Sequence, residues 1–280
     1  MNLSKLLKIL GVAVIVLKVG NVSAENEIVF EEAERIMSEN IEMEYNEDIA
    51  EAQLLFEDVW EDLCSRLGEE NLKFPKQIIF LNGAPGAGKG TNTIIVMRIF
   101  EISSKPIEIS ALLTTPECEE LKRKGMLVGD QIVITQMMNE ILKPENSRGI
   151  IIDGFPRTTV QAYFLRHLID KIGEHAKASK PIFRMVNFAV SQQTSVERQL
   201  FRGTATAEQN KKAEKFGQKQ TPVRATDLSE EAATLRFKLY EKSISECIEI
   251  LRNNLEFSEI NSEGTLEEVR NRIQNILELD

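Results

Sequence analysis

The sequence predicts an α/β fold: a five-stranded parallel sheet with helices on both faces, preceded by an N-terminal helical arm. Three observations carry this. Five short apolar runs of strand length alternate with segments of helical length and periodicity. The first run, Ile78–Leu81, is followed at once by a glycine-rich turn and a helical segment. The third, Gly149–Asp153, is apolar without a break until it ends in an acid. That is the pattern of a strand buried on both faces, with its carboxyl end at a ligand crevice.

Residues 1–24 read as a targeting segment. Lys5 and Lys8 make a basic start, Ile9–Leu17 is an unbroken apolar run, and Val22-Ser23-Ala24 offers small residues for cleavage before Glu25. The run has signal-peptide length and is short for a bilayer span. On this reading the protein is exported, to a periplasm or the exterior. The alternative is a cytoplasmic protein, or one anchored to a membrane through residues 9–22.

Residues 25–75 form an acidic arm. Of the net charge of −10, the deficit sits almost wholly in residues 25–70, which hold seventeen acidic and two basic side chains. Ile49, Ala52, Phe56, Val59, Leu63 and Leu67 recur at spacings of three and four, with Trp60 and Cys64 beside them. This predicts one helix with an apolar stripe, packed on the main domain with its acids in water. A sharper alternative is an arm that binds a partner or visits a phosphate site. Leu67-Gly68 and Lys73-Phe74-Pro75 punctuate its end, so the main domain is placed at 76–280.

The acidic balance argues against a nucleic-acid partner held through phosphates. Cys64, Cys118 and Cys247 are too far apart in sequence for a zinc pattern or a disulfide framework, and read as free thiols. His167 and His175 fall in a polar helical stretch and read as surface residues.

The stretch QIIFLNGAPGAGKGT, Gln77 to Thr91, is strand, phosphate-binding loop and helix. Gly83, Gly86 and Gly88 allow backbone N–H groups to approach phosphate oxygens, with Pro85 and Ala87 between them. The helix that follows, with apolar residues over Ile94–Phe100, points its positive end at the same place. Lys89 adds a mobile charge able to follow the terminal phosphates, and Gly90 and Thr91 come next. A glycine-lysine match arises by chance at a modest rate; the strand before it and the helix after it make this one specific.

The remaining elements follow in order. Pro106–Ser110 reads as a second strand, Pro116–Lys124 as a brief helix, and Asp130–Leu142 as a longer one. Pro181–Val190 is the fourth strand and Asn254–Ile260 the fifth. The last helix, Thr265–Leu279, opens on the capping box Thr265-x-x-Glu268. Asp153 ends the third strand, where a carboxylate is well placed to hold Mg²⁺ through water. Arg157, four residues on, presents a planar fork for a phosphate.

The motifs GAPGAGKGT and Asp153-Gly154-Phe155-Pro156-Arg157-Thr158, with Gln161 beyond, resemble those of the adenylate kinase family of nucleoside monophosphate kinases. The resemblance covers residues 76–280 and implies a P-loop NTPase fold. It places ATP on Gly83, Pro85, Gly86, Ala87, Gly88, Lys89, Gly90 and Thr91, with Arg198 on the donor adenine. It puts the acceptor on Ser110, Met126, Leu127, Val128, Gly154, Phe155, Arg157 and Gln161, with Arg157 on the α-phosphate and Gln161 on the base. Lys89, Arg157, Arg202, Arg224 and Arg236 become the catalytic cations, and Asp153 the organiser of the Mg²⁺ water shell.

Two departures accompany it. The lid, 203–223, is short and cysteine-free and reads as a Lys-rich helix. The acceptor segment, 106–130, is reduced: Ser110-Ala111-Leu112-Leu113-Thr114-Thr115 lacks the family's arginine. The resemblance implies a Mg²⁺-dependent monomeric kinase taking ATP and a nucleoside monophosphate, most naturally AMP. The alternatives are a UMP/CMP-type kinase, or a nucleotide-binding regulator that has lost turnover. Export sits awkwardly with a need for ATP.

Overall fold

The computed structural model describes residues 47–123, 128–175, 180–221 and 223–278. The targeting segment, the arm before Glu47, Met126 and Leu127, and the side chains of Lys122, Arg123 and His175 lie outside the described part.

Five strands form one all-parallel sheet: β1 (Gln77–Gly83), β2 (Ile107–Glu108), β3 (Ile150–Asp153), β4 (Ile182–Ala189) and β5 (Glu256–Asn261). Their spatial order is β2-β3-β1-β4-β5. β1, the central strand, pairs Leu81 with Asp153 on one side and Gly83 with Phe188 on the other. The alternation along β1 divides the core. Ile78 and Phe80 join a cluster with Ile150, Ile152, Phe183 and Met185. Ile79 and Leu81 join another with Ile151, Val186, Phe188 and Ile260. All four β1 side chains are completely buried, which is why the strand reads as a continuous apolar run.

The described α-helices are α1 (Glu47–Leu67), α2 (Lys89–Ile99), α3 (Ile109–Leu112), α4 (Pro116–Arg123), α5 (Asp130–Ile141), α6 (Thr159–His175), α7 (Gln192–Lys215), α8 (Glu230–Leu251) and α9 (Leu266–Leu277). The capping box at Thr265 is formed in both directions. Among the described residues no helix is long and apolar enough to cross a membrane.

One local difference from the sequence reading of the elements has a physical cause. The second strand is two residues long, and Ile109–Leu112 turns helical instead. β2 is an edge strand bonded only to β3, and Pro106 before it lacks an N–H, so little favours further extension. The phosphate-loop helix begins at Lys89, directly after Gly88, which stands in the left-handed region at φ 83°. The first turn is therefore Lys89, Gly90 and Thr91, whose N–H groups have no partner one turn back.

The helix of the arm packs on the main domain through its apolar stripe. α1 is part of the main core: Val59 and Leu63 are buried in the cluster that holds Ile134 and Leu168. Phe56 meets Phe164 at 5.6 Å and stacks on Trp60 at 5.7 Å; Trp60 stacks on Phe74 at 6.3 Å under the Lys171 ammonium. Only the ends of the apolar stripe, Ile49 and Leu67, stay exposed. The same packing corrects His167, which was expected at the surface. It is half-buried against Phe56 at 5.9 Å, and burial lowers its pKa. The three cysteines are free thiols, with Cys118 and Cys247 buried.

Candidate active site

The phosphate loop emerges from the carboxyl end of β1. Gly86 and Gly88 have φ of +79° and +83°, a conformation that side-chain-bearing residues rarely adopt. A β-carbon on Gly86 would also press on the Ser195 carbonyl and Arg198. Ser195, on α7, donates to the Pro85 carbonyl at 2.6 Å and holds the loop from outside.

Lys89 turns back over the loop and donates to the Gly83 carbonyl at 2.5 Å. Its surroundings are strongly cationic. Burial first, then the positive charges of Arg157, Arg236 and Arg224, lower its pKa to about 8, against the opposing pull of Asp153. The start of α2, the end of β3 and the loop after it, the turn before α8 and α8 itself thus share one electrostatic neighbourhood. Arg157 is also held below its ordinary pKa by burial and by Arg224, although more than a third of its surface faces the open cleft. That opening makes burial a weaker influence on Arg157 than on Lys89.

The lid is built as expected of a Lys-rich helix. α7 runs unbroken through residues 203–215, and no strand occurs among the described lid residues. Asn210 fastens the return path with two bonds to the Thr221 backbone, at 2.7 and 2.8 Å. Arg202 on α7 forms a two-point ion pair with Asp227, whose side chain is 3% exposed. Arg236 joins the same carboxylate at 3.4 Å and Thr226 at 3.1 Å. Gly203 makes this possible: the Asp227 backbone lies so near that no β-carbon would fit. Burial, then repulsion from Arg224 and Arg202, lowers the Arg236 pKa to about 10, still well above neutrality.

Arg198 donates to the Gly86 carbonyl at 3.4 Å and the Gly264 carbonyl at 3.2 Å. It thereby closes one wall of a cavity of about 330 Å³, whose lining includes Gly88, Thr91, Asn92, Leu266 and Val269. The Arg198 guanidinium, the Leu266 and Val269 side chains and the adjacent glycines of the phosphate loop thus border one cavity. A larger hollow of about 750 Å³, lined by residues of α1, α6 and α8 such as Asp48 and Glu249, shares no residue with the phosphate loop.

On the acceptor side the structure gathers Gly154, Phe155 and Arg157 on one loop after β3. Phe155 is completely buried, its ring 5.9 Å from Phe80, so its part is to anchor the loop. Ser110 is exposed on α3. Val128, expected at the acceptor, has its side chain buried in the core. Gln161, expected to face a base, is 3% exposed and already bonded at both ends of its amide.

Sequence reasoning gave no role to Asp227, Asp130 or Tyr240. The Tyr240 hydroxyl donates to Asn187 at 3.2 Å and accepts from the Gly83 backbone, and burial raises its pKa strongly. It ties α8 to the first residue of the phosphate loop. Its place one helical turn after Arg236 was the available signal.

A parallel sheet, a lysine-bearing phosphate loop and converging arginines define a P-loop phosphotransferase. The adenylate kinase family model matches residues 81–255, and the chain belongs to that family. It is 26% identical over 206 residues to an adenylate kinase of Flavobacterium psychrophilum, covering 71% of this chain and 97% of that one. It is 28% identical over 220 residues to an adenylate kinase of Archaeoglobus fulgidus, covering 72% and 97%. Over a shorter span of 128 residues it is 31% identical to an adenylate kinase of Geobacter sulfurreducens, covering 43% and 56%. The protein is a phosphotransferase of the nucleoside monophosphate kinase class.

Proposed function

We propose that the protein transfers the terminal phosphoryl group of Mg·ATP to AMP, reversibly and without a covalent intermediate. The observation that carries this is the grouping of Asp153, Arg157, Arg224 and Arg236 around Lys89, beside the Arg198 cavity. Phosphoryl transfer needs little covalent chemistry from the protein. It needs two anions brought into line and their charge neutralised in a dry site. ATP lies with its base against Arg198 and its phosphates on the N-terminus of α2. AMP places its phosphate on Arg157. Lys89 leaves the Gly83 carbonyl for the phosphates, and Arg224 and Arg236 gather on the group in transit.

Asp153 is half-buried at the end of β3, and Thr91 is exposed on the first turn of α2. Among the described residues no three His, Cys, Asp or Glu side chains come together as a cage. The Asp153 carboxylate, a hard oxygen donor at the end of β3, would hold a Mg²⁺ ion through water. When bound, the ion supplies neutralisation of the charge on the bridging phosphate oxygens.

The test is a coupled assay with ATP and each of AMP, UMP, CMP and GMP, with and without Mg²⁺. AMP is expected to give the highest kcat/KM. Preference for UMP or CMP overturns the choice of acceptor, and ATP binding without turnover on any monophosphate overturns the kinase reading.

A further inference from the structure

A chain of hydrogen bonds leaves the phosphate loop and crosses to the outer strand β5. The Gly83 N–H donates to the Tyr240 hydroxyl oxygen. That hydroxyl donates to Asn187 Oδ1 at 3.2 Å, and Asn187 Nδ2 donates to Glu259 Oε2 at 3.1 Å. Four elements contribute: the end of β1, α8, β4 and β5. Asn187 is in register with Asn82 of β1 on one side and with Glu259 of β5 on the other.

The loop end of this chain leaves little slack. Gly83 passes so close to the Phe188 carbonyl and β-carbon that a β-carbon of its own would not fit. Its carbonyl accepts Lys89 at 2.5 Å. One residue thus gives its N–H to Tyr240 and its C=O to the loop lysine, so a shift of the Tyr240 hydroxyl reaches the carbonyl on which Lys89 rests.

The other end gives the chain its direction. A carboxylate accepts and does not donate, so Glu259 draws the NH₂ of the Asn187 amide, a side chain buried at 7% exposure. Oδ1 is then left for the Tyr240 proton, and a hydroxyl lone pair for Gly83. All three donors point away from the loop toward the carboxylate, an order in which each bond strengthens the next.

We propose that Glu259, acting through Asn187 and Tyr240, is a positioning residue for the phosphate loop: it orients the hydroxyl that holds the Gly83 N–H. This rests on the reading of Gly83–Thr91 as the ATP site.

The sign of one substitution separates this relay from a general effect of charge. Glu259→Lys replaces an anion by a cation, and a field effect alone would strengthen binding of an anionic nucleotide. The relay gives the reverse. An ammonium only donates, so Asn187 turns Oδ1 toward it and Nδ2 toward Tyr240, and the hydroxyl proton loses its acceptor. The Mg·ATP dissociation constant is expected to rise about 3- to 10-fold, the strength of one neutral hydrogen bond. KM for the monophosphate should stay within about two-fold.

Adding Asn187→Asp to Glu259→Lys restores the direction, because the new carboxylate accepts from both the ammonium and Tyr240. Affinity should return to within about two-fold of wild type. Tyr240→Phe strands the Gly83 N–H and should weaken Mg·ATP about 10-fold. Glu259→Lys placed on top of Tyr240→Phe should then add nothing, since the relay is already cut.

Calorimetric titration with Mg·ATP reads these constants without turnover. Glu259 is exposed, so its substitution spares the core, and thermal unfolding midpoints check this. Unchanged or tighter Mg·ATP binding by Glu259→Lys overturns the proposal. So does an Asn187→Asp/Glu259→Lys protein no better than Glu259→Lys alone, or a further loss when Glu259→Lys is added to Tyr240→Phe. Wild-type protein that binds no Mg·ATP would overturn the phosphate-loop reading instead.

Discussion

Asp227 holds Arg202 at two points, Nε to Oδ2 at 2.7 Å and Nη2 to Oδ1 at 2.8 Å, through a side chain 3% exposed. The pair joins α7 to the turn before α8, and Arg236 shares the carboxylate. Asp227 thus presets two cations that would otherwise repel each other.

Asp227→Asn should release both arginines and loosen the junction between lid and α8. The arginine side chains keep 38% and 31% of their exposure and can rehydrate, so the loss falls below that of a fully buried pair. About 1–3 kcal/mol is expected, or roughly 2–12 °C in Tm at ~2–4 °C per kcal/mol. Turnover should fall by more than binding of either nucleotide weakens. A calorimetric scan beside steady-state kinetics checks both, and an unchanged kcat would mean that the preset geometry is not used.

The Lys89 pKa of about 8 gives a pH dependence with a defined sign. Folded, Lys89 loses its proton more readily than when unfolded, where ~10.4 is ordinary. Between those values the unfolded chain binds more protons, so stability from this group rises with pH across that window. Donor binding runs the other way. Phosphates restore the charged form, so ATP binding above about pH 8 takes up a proton, and its KM should rise by up to about tenfold per pH unit. Titration calorimetry at pH 8.5 in two buffers of different ionisation enthalpy reads the uptake directly. Lys89→Met should abolish it along with most turnover, while leaving the fold intact.

Leu63, 1% exposed, tests whether the arm is structural. Leu63→Ala should cost about 2–5 kcal/mol, as deletion of a core leucine does. KM for ATP should not change, because α1 packs on α6 and not on the phosphate loop. An altered ATP KM without a loss of stability would favour an arm acting on the site.

What was legible in the sequence was local. The apolar runs of β1, β3 and β4 declare themselves because both faces are covered, and the phosphate loop is contiguous. Asp227 was hidden because its role depends on Arg202, twenty-five positions away in sequence. The adjacent Arg202-Gly203 pair was a hint, since Gly203 admits the Asp227 backbone. The surroundings of Gln161 were equally hidden: the amide orientation depends on Asp130, thirty-one positions earlier. The length of β2 failed for a related reason, since an edge position is a property of the sheet and not of Pro106–Ser110.

For the N-terminus, cleavage after Ala24 is proposed from Lys5, Lys8, the run Ile9–Leu17 and Val22-Ser23-Ala24. Mass spectrometry of the native protein should find a chain beginning at Glu25. Peptides containing Met1 in the bulk of the material would refute export by this route.

On the proposed reading Arg157 holds the acceptor phosphate without a second arginine from the segment Ser110–Thr115, which has none. Its loop is rigidly held, by Asn82 on the Phe155 carbonyl at 3.5 Å, Ser243 on its own carbonyl and Gln161 on its N–H, so the guanidinium has a fixed origin. A charge-assisted hydrogen bond is worth roughly 1.5–3 kcal/mol, and ~1.4 kcal/mol is a decade of affinity. Arg157→Ala should therefore raise KM for AMP about 10- to 100-fold, from a wild-type value already high for want of a second arginine. Arg157→Lys should recover only part of this, because an ammonium cannot reproduce the two-point grip. KM for ATP should be nearly unchanged at pH 7, with Gly83–Thr91 and Arg198 intact. The same substitution carries a second signature. Arg157 is one of the charges that lower the Lys89 pKa, so its removal should shift the rise of ATP KM to higher pH. Kinetics in both substrates from pH 7 to 9.5 reads both effects. Tight AMP binding that survives Arg157→Ala would place the acceptor phosphate elsewhere.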